Sequence, residues 1–242
     1  TGGAVTVADS GDIDYETTTS YTLVVAALDS SDSDQATITI TIADIDESDA
    51  TAPTDSNSAT NTVAENAAVA ATVGVTALSA DADGSTNTIT YSVSDQSCTS
   101  LFGVDSSTGV VSVAATTNLD YETATSCTVE ITATSADLST AATTFTVAIT
   151  DTNDQAPTYS GGDVTPSVAE GTTAVDSFTV VDTDSGDVNT CALGGADAGS
   201  FACAVSGDSI SIAFSTAPDY ETPGSVAGTN VYAMTATISD GT

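Results

Sequence analysis

Asp120-Tyr121-Glu122 is the middle copy of a motif that also occurs as Asp14-Tyr15-Glu16 and as Asp219-Tyr220-Glu221. The copies are spaced 106 and 99 residues apart. Each of the first two copies is followed by an alternating apolar and polar segment and then by a second acidic cluster, Asp44-Ile45-Asp46-Glu47 or Asp151-Thr152-Asn153-Asp154. A pattern that returns about every hundred residues indicates tandem copies of one domain.

The charge balance limits the partners of this chain. It has 242 residues with 34 Asp and Glu and no Lys, Arg or His, which gives a formal net charge of −34. Without cationic side chains it cannot bind the phosphates of nucleic acid or an anionic membrane surface, and no apolar run approaches the roughly 18 residues of a membrane span. Carboxylates clustered this densely need a counter-charge from solution, and calcium, a hard divalent ion that prefers oxygen ligands, is the ion we expect.

Composition and periodicity predict an all-β fold. Thr and Val favour strands, while Gly, Asp and Ser favour turns. Period-two alternation predicts strands at residues 38–42, 145–149 and 210–214, and it predicts two further inward faces. These faces are Tyr21, Leu23, Val25 and Ala27, and then Tyr232, Met234, Ala236 and Ile238. About seven such strands per hundred residues are typical of a β-sandwich.

Two further motifs mark the repeat boundaries. Val63-Ala64-Glu65 recurs as Val168-Ala169-Glu170, and Asp81-Ala82-Asp83 recurs as Asp182-Thr183-Asp184. The sequence therefore predicts the C-terminal half of a repeat at residues 1–53, a complete repeat at 54–157, and a repeat without its last strand at 158–242. We expect a window of a longer array, or a subunit whose ends are completed by neighbours.

The four cysteines indicate the redox environment of the chain. They are Cys98, Cys127, Cys191 and Cys203. Pairing Cys98 with Cys127 and Cys191 with Cys203 keeps each disulfide inside one repeat. No Cys-x-x-Cys spacing or His is present to form a zinc site. We interpret the cysteines as two disulfides in an oxidising, extracellular setting, with buried free thiols as the alternative.

Together these motifs resemble those of cadherin repeats, in the same order along the whole middle repeat. The matching residues are Glu65, Asp81-Ala82-Asp83, Leu119-Asp120-Tyr121-Glu122, Asp137 and Asp151-Thr152-Asn153-Asp154-Gln155-Ala156-Pro157. The resemblance implies an extended array of tandem Greek-key sandwiches of seven strands, an immunoglobulin-like architecture, joined end to end with calcium ions at each junction. The chain departs from the family pattern in its longer first linker, in Gln155 and in the Tyr of Asp-Tyr-Glu.

Carried over by position, the resemblance implies two sets of calcium ligands. At the junction of the second and third repeats they are Glu65, Asp120, Glu122, Asp151, Asn153, Asp154, Asp182, Asp184, Asn189 and Asp240. At the earlier junction they are Asp14, Glu16, Asp44, Asp46, Glu47, Asp81, Asp83, Asn87 and Asp137.

The sequence thus predicts a calcium-stiffened extracellular stalk or filament segment of a cell-surface adhesion or fibre protein. Its expected partners are neighbouring repeats, copies of the same protein and cell-surface glycans, and O-linked glycans on its Ser and Thr are a further hypothesis. A catalytic carboxylate pair of the glycosidase type is disfavoured, because every acidic pair recurs with the repeat and no nucleophile has a base beside it.

A second alternative concerns two rows of threonine. Thr37, Thr39 and Thr41 share one strand face, and the matching strand contains Thr143, Thr144 and Thr146. Flat arrays of Thr can bind ice or carbohydrate, although an outward polar strand face has the same pattern.

Overall fold

The computed structural model describes residues 4–85, 87–116, 119–184, 186 and 188–241, and it confirms the all-β class. The regular structure in these residues consists of 15 strands and two 3₁₀ helices, Ser10–Asp12 and Ala198–Ser200. Neither short helix could cross a bilayer, and the part of the chain that is described contains no other helix.

Two compact units make up the chain. Unit 1 comprises Thr1–Val63, Ala67–Leu119 and Ser126–Ala148. Unit 2 comprises Ala64–Asn66, Asp120–Thr125 and Ile149–Thr242. The predicted repeat boundaries at residues 53 and 157 remain predictions. The bounds of the units differ from them, because Ala64–Asn66 and Asp120–Thr125 belong to the same unit as Ile149–Thr242.

Unit 1 begins with a hairpin of β1 (Ser20–Leu28) and β2 (Ser33–Thr41), which are antiparallel from Ser20 opposite Thr41 to Leu28 opposite Ser33. The Asp29 carboxylate closes its turn by accepting hydrogen bonds from the backbone N–H groups of Ser31 (2.7 Å) and Asp32 (2.8 Å). The expected inward face is less buried than predicted, with Tyr21 40% exposed. The reason is that no described sheet covers this two-stranded ribbon.

A β-sandwich forms most of the rest of unit 1; only Ala64 and the last two residues of its strands, 149 and 150, belong to unit 2. The sheets of this sandwich have the strand orders β4-β10-β9-β6 and β3-β5-β8-β7. Since β3 and β4 are separated only by residues 56–61 and lie in different sheets, they count as one strand that switches sheets, which gives the seven strands expected. The strands are β3 (Thr54–Asp55), β4 (Thr62–Ala64), β5 (Thr72–Leu78), β6 (Thr90–Gln96), β7 (Phe102–Val104), β8 (Val110–Val113), β9 (Ser126–Thr134) and β10 (Thr140–Thr150).

Strict alternation builds the core of this sandwich. In β9, Val129, Ile131 and Ala133 are fully buried, and the residues between them are half-buried. The facing sheet contributes Val73 and Val75 in the same way. Each fully buried Val or Ile stabilises the fold by about 1.5–3 kcal/mol, so the period-two pattern specifies both the strands and their register.

Unit 2 contains β11 (Ala174–Thr179), β12 (Thr190–Gly194), β13 (Phe201–Ser206), β14 (Ser209–Phe214) and β15 (Thr235–Ser239). These strands form a sheet of order β11-β14-β13 and a sheet of β12 and β15. The core is aromatic: the ring centroid of Phe214 lies 4.5 Å from that of Phe201 and 4.9 Å from that of Tyr232. The predicted inward residues of the last strand, Tyr232 to Ile238, pack against it half-buried, although the strand itself begins at Thr235.

Both predicted disulfides are confirmed, and the free-thiol alternative is wrong because all four cysteines are paired. Cys98 follows β6 and pairs with Cys127 in β9, with 5.6 Å between the Cα atoms. Cys191 in β12 pairs with Cys203 in β13, with 6.2 Å between the Cα atoms. The second disulfide therefore joins the two sheets of unit 2.

The turn before β8 requires glycine. Gly109 has a φ of +72°, and its carbonyl accepts a hydrogen bond from the backbone N–H of Ala77 at 2.9 Å. A methyl group at this position would collide with the Ala77 carbonyl oxygen. The left-handed conformation alone costs an L-residue about 1–2 kcal/mol.

We therefore expect Gly109→Ala to lower the free energy of unfolding of unit 1 by more than about 2 kcal/mol, measured by chemical denaturation. The matched control is Gly103→Ala on the neighbouring strand β7, where the added methyl group would lie 3.5 Å from the Ala114 side chain, an ordinary contact. Equal stability of the two variants would contradict this account of the turn.

Candidate metal centres

Five carboxylates of unit 1 form what we call the amino-terminal cluster: Glu16, Asp46, Glu47, Asp83 and Asp137. They make two groups, Glu16 with Glu47 and Asp83, and Asp46 with Asp83 and Asp137. In each group one oxygen of every carboxylate lies within 4.8 Å of the others. Asp83 belongs to both groups and is the most buried of the five, with 2% of its surface exposed.

Backbone N–H groups hold Asp83 in place. Its carboxylate accepts hydrogen bonds from the N–H groups of Glu47 (3.3 Å) and Ser48 (3.2 Å). The N–H of Asp83 donates to Asp81 at 3.1 Å, and that of Gly84 donates to Glu16 at 3.0 Å. These bonds bring together the Asp-Tyr-Glu motif, the acidic segment 44–47 and the Asp-x-Asp motif. Asp83 binds the backbone next to the acidic segment, and Glu16 binds the backbone next to Asp83.

The other predicted ligands of this set surround the cluster. Asp44 is half-buried, and one of its oxygens accepts a hydrogen bond from the Ser85 hydroxyl. Asp81 accepts one from the Ser135 hydroxyl. Asp14 is exposed and accepts hydrogen bonds from Thr17 and the Glu16 N–H, while Asn87 is also exposed.

Five carboxylates of unit 2 form the carboxy-terminal cluster: Glu65, Asp120, Glu122, Asp151 and Asp184. Their groups are Glu65 with Asp120 and Glu122, and Glu122 with Asp151 and Asp184. Glu122 is common to both groups. The Asp-Tyr-Glu motif, the Val-Ala-Glu motif, the second acidic segment and the Asp-x-Asp motif each supply at least one member, as the sequence predicts.

The cluster in unit 2 repeats the construction of the first. The buried Glu65 carboxylate accepts hydrogen bonds from the N–H groups of Tyr121 and Thr152, both at 2.6 Å. Asp184 accepts them from the N–H groups of Asp154 (2.8 Å) and Gln155 (2.7 Å), as Asp83 does from residues 47 and 48. The same motifs thus produce the same arrangement twice.

The remaining predicted ligands of this set differ in their contacts. Asp182 accepts a hydrogen bond from the Asp184 N–H at 3.2 Å. Asn153 donates from its amide nitrogen to the Asp240 carbonyl oxygen at 3.3 Å, and Asn189 donates to Asp208 at 3.4 Å. Asp154 is exposed, and its carboxylate accepts from the Gln155 side chain.

A third acidic group was absent from the predicted ligand sets. Glu170, Asp219 and Glu221 come together in unit 2, and all three are exposed. The Glu170 carboxylate accepts a hydrogen bond from the Tyr220 N–H at 3.1 Å, as Glu65 does from Tyr121. The sequence contained this signal, because Asp219 and Glu221 belong to the third copy of the Asp-Tyr-Glu motif and Glu170 to the second copy of Val-Ala-Glu.

Hydrogen bonds, partial desolvation and neighbouring charges shift the pKa values of acids in the amino-terminal cluster. A hydrogen bond to the Asp83 carboxylate, partial desolvation and the charge of Asp137 raise the pKa of Asp46 to about 6. Desolvation and the charge of Glu16 raise the pKa of Glu47. A hydrogen bond from the Ser139 N–H lowers the pKa of Asp137. In unit 2, desolvation raises the pKa of Glu122.

The donor set fits a hard cation. Several oxygens around the clusters are buried and accept no hydrogen bond from an N–H or hydroxyl group; they belong to Asp44, Asp137, Asn153, Asp182, Asp184 and Asn189. A buried acceptor without a partner costs about 1–3 kcal/mol. Two carboxylates about 4 Å apart add roughly 4 kcal/mol of repulsion at an effective dielectric near 20. A divalent ion with oxygen ligands satisfies both deficits.

The threonine rows do not form a continuous flat array. Thr37, Thr39 and Thr41 are exposed on one face of β2. In β10, Thr144 and Thr146 are exposed, but Thr143 lies on the opposite face with the buried Phe145. The second row is therefore split, and the structure does not favour an ice-binding or carbohydrate-binding surface.

Comparison with known proteins finds one family match, over the middle of the chain. Residues 60–150 match the family model of the cadherin domain. No curated protein matches the chain in sequence.

Similar folds occur among solved structures. The extracellular cadherin domains 1–4 of protocadherin gamma B7 align with a TM-score of 0.61 and 20% identity over 93% of this chain, and the chain spans 58% of that protein's solved length. Domains EC22–24 of mouse cadherin-23 align with a TM-score of 0.61 and 21% identity, over 86% of this chain and 68% of theirs. The human desmocollin-1 ectodomain aligns with a TM-score of 0.61 and 19% identity, over 93% and 48%. At these identities the similarity shows the fold.

The raised pKa of Asp46 predicts a pH dependence in the presence of a chelator. A carboxyl group whose folded pKa is raised contributes stability below its unfolded value, near 3.8, and loses it as pH rises through about 6. Asp46→Asn, which stays neutral, should therefore raise the melting temperature of unit 1 at pH 7.5, and this gain should fade toward pH 4.

The control for this titration is Asp105→Asn in the β7–β8 turn. Hydrogen bonds from Ser107 and Thr108 lower the pKa of Asp105 to about 2, so its charge contributes stability above pH 4 that is lost as pH falls through about 2. This variant should melt below the parent at pH 7.5. Identical signs for the two variants would show that the clustered charges are not the cause.

Proposed function

We propose that this chain is a calcium-binding, calcium-stiffened segment of a cell-surface adhesion or fibre protein. Residues 60–150 match the family model of the cadherin domain, which supports an adhesion module over an enzyme. The observation that carries the proposal is the set of buried carboxylate and amide oxygens that lack a hydrogen-bond donor, beside carboxylates that backbone N–H groups already orient.

The residues that would hold calcium follow from the two clusters. In unit 1 they are Glu16, Asp46, Glu47, Asp83 and Asp137, with Asp14, Asp44, Asp81 and Asn87 as outer candidates. In unit 2 they are Glu65, Asp120, Glu122, Asp151 and Asp184, with Asn153, Asp154, Asp182, Asn189 and Asp240 as outer candidates. The bound ion supplies positive charge and up to eight coordination positions for oxygen.

The chain's own residues prepare these sites before any ion binds. Glu65 ties the Asp-Tyr-Glu motif to Thr152 of the following acidic segment through two hydrogen bonds of 2.6 Å. Asp184 ties that same segment to the Asp-x-Asp motif through the N–H groups of residues 154 and 155. The segment 151–155 is therefore held from both of its sides, and neutralising the surrounding charge would stiffen it.

Stiffening is a mechanical role that needs no catalytic group. With the ions removed, the like charges in each cluster repel one another by roughly 4 kcal/mol per close pair, and the linkers become flexible while each sandwich stays folded. With the ions bound, neighbouring repeats would keep a constant angle. A chain of such repeats, continued by its neighbours or by further copies, would form a stalk or filament.

The ligand assignment predicts a selective loss of calcium affinity. Asp184→Asn keeps the shape of the side chain but removes one charge from an acid that is 8% exposed. We expect calcium binding to unit 2, measured by isothermal titration calorimetry, to weaken at least about tenfold, as loss of metal-site residues typically does. Asp163→Asn removes the same charge from an exposed position outside the named groups and should leave the affinity unchanged. Equal losses would reduce the effect to net charge.

The mechanical role is tested by small-angle X-ray scattering. The chain in millimolar calcium should give a narrow distribution of distances, and the chain in chelator should give a broader one with a different maximum dimension. Circular dichroism should show that the sandwiches remain folded in both. Scattering curves that coincide, with calcium binding demonstrated separately, would reject stiffening while leaving the ion sites in place.

A further inference from the structure

Four of the predicted calcium ligands in unit 2 are divided between its two sheets. Asp182 and Asp184 follow β11, which belongs to the sheet β11-β14-β13. Asn189 directly precedes β12 and Asp240 directly follows β15, and these two strands form the other sheet. An ion bound by residues of both pairs therefore requires a fixed spacing between the two sheets.

The ladder of β12 and β15 holds the second pair together. Thr190 lies opposite Ser239, and its hydroxyl donates a hydrogen bond to the Ser239 carbonyl oxygen at 2.8 Å. Asn189 and Asp240 are the residues next to this pair, so they extend from the same end of the ladder. Whatever fixes β12 relative to the other sheet therefore fixes both of these residues.

The Cys191–Cys203 disulfide fixes β12 to the other sheet at this end. Cys191 is the second residue of β12, two positions from Asn189, and Cys203 lies in β13. Aromatic contacts between the sheets are made by Tyr232, which lies eight residues before Asp240. At about 3.3 Å per residue this separation is up to roughly 26 Å. The disulfide is therefore the link between the sheets that lies beside the ligands.

Both sheets also carry buried oxygens that accept no hydrogen bond. They belong to Asp182 and Asp184 on one side and to Asn189 on the other. Asp184 is 8% exposed and Asn189 is 7% exposed, so bulk water does not satisfy them. The amide nitrogen of Asn189 already donates to Asp208, which leaves its oxygen to bind an ion. A shared cation would satisfy these oxygens only while the spacing between the sheets is kept.

The same disulfide is open to attack from solution. Cys191 and Cys203 are both half-buried, whereas Cys127 of the other disulfide is 1% exposed. Exchange between a thiol and a disulfide requires that the attacking thiolate reach one of the sulfurs. A reagent in solution can therefore approach the unit 2 disulfide from either of its cysteines.

We propose that the Cys191–Cys203 disulfide controls the calcium affinity of the carboxy-terminal cluster, with an external dithiol as the reductant; this inference rests on the proposed function. One thiol of the reagent attacks a sulfur of the pair, forms a mixed disulfide and releases the other cysteine. The second thiol of the reagent then displaces the remaining cysteine. Two electrons and two protons pass to the pair, which becomes two thiols, and the reagent becomes a cyclic disulfide. The ligands beside β12 and β15 then lose their fixed spacing from those after β11.

The first test is calcium titration of the full chain by calorimetry, with and without dithiothreitol. The relevant binding event is the one that Asp184→Asn weakens. We expect reduction to weaken it at least about fivefold, the lower end of typical coupling between two sites. An affinity that reduction leaves unchanged would overturn the proposal.

The amino-terminal cluster is the control within the same molecule. Cys98 follows β6 whereas Asn87 precedes it, and Cys127 lies in β9 of the same sheet as β6. That disulfide therefore does not set the spacing between two sheets beside the cluster. Dithiothreitol should leave the calcium affinity of this cluster unchanged, and equal weakening of both clusters would contradict a local effect of Cys191–Cys203.

Paired substitutions assign the response to one disulfide. The double variant Cys191→Ser, Cys203→Ser should bind calcium as the reduced parent does and should not respond to dithiothreitol. The double variant Cys98→Ser, Cys127→Ser retains the unit 2 disulfide and should keep the response. The opposite pattern would overturn the proposal.

The parent chain alone provides a second measurement, because coupling between two equilibria is reciprocal. In a buffer of reduced and oxidised dithiothreitol, calcium should disfavour reduction of Cys191–Cys203 by the same factor by which reduction weakens calcium binding. Alkylation followed by mass spectrometry gives the reduced fraction of each disulfide, and circular dichroism reports whether the reduced chain is folded. Equal reduced fractions with and without calcium would overturn the proposal. Unfolding of unit 2 on reduction would also overturn it, since the disulfide would then act only on stability.

The titrations separate this inference from the proposed function. A chain that binds calcium equally well before and after reduction would overturn the redox control and leave the calcium sites in place. A chain that binds no calcium in either state would overturn both.

Discussion

Repulsion between carboxylates that have no cation of their own is the constraint on which this chain depends. Each cluster resists it with backbone N–H groups: those of residues 47 and 48 on Asp83, those of residues 154 and 155 on Asp184, and those of Tyr121 and Thr152 on Glu65. Hydrogen bonds to a charged acceptor are among the stronger ones. They orient the acids but leave several buried oxygens without a hydrogen-bond donor. Oriented carboxylates with unsatisfied oxygens are the ligands that a calcium ion needs.

The sandwich and the clusters have different origins in the sequence. Alternating residues such as Val129 and Ile131 build a buried core, whereas the acidic clusters are held by hydrogen bonds from backbone N–H groups. In unit 2 the core residues Phe201, Ile212 and Phe214 also line an open groove.

Much of this could be predicted from the sequence, because it depends on local periodicity and on recurring motifs. The strand positions, both disulfides and the meeting of Glu65 with Asp120 and Glu122 follow from spacing and from the resemblance between repeats. The exposure of Tyr21 could not be predicted, since burial depends on a second sheet that no local pattern describes. Nor could the sequence show that Asp83 joins two groups or that Asn87 is exposed while Asn189 is buried, because these differences depend on how loops of the same motif pack.

In the stalk role proposed for this chain, the Cys98–Cys127 disulfide would limit how far the chain extends under tension. When force unravels a domain, every released residue lengthens the chain by up to about 3.3–3.6 Å. The covalent loop from Cys98 to Cys127 spans 29 residues, so roughly 100 Å of slack is withheld even after its hydrogen bonds break. The shorter loop in unit 2 withholds a smaller length in the same way. If the chain were pulled from its ends, each unfolding event would add a shorter length, and the residues between the paired cysteines would bear no force.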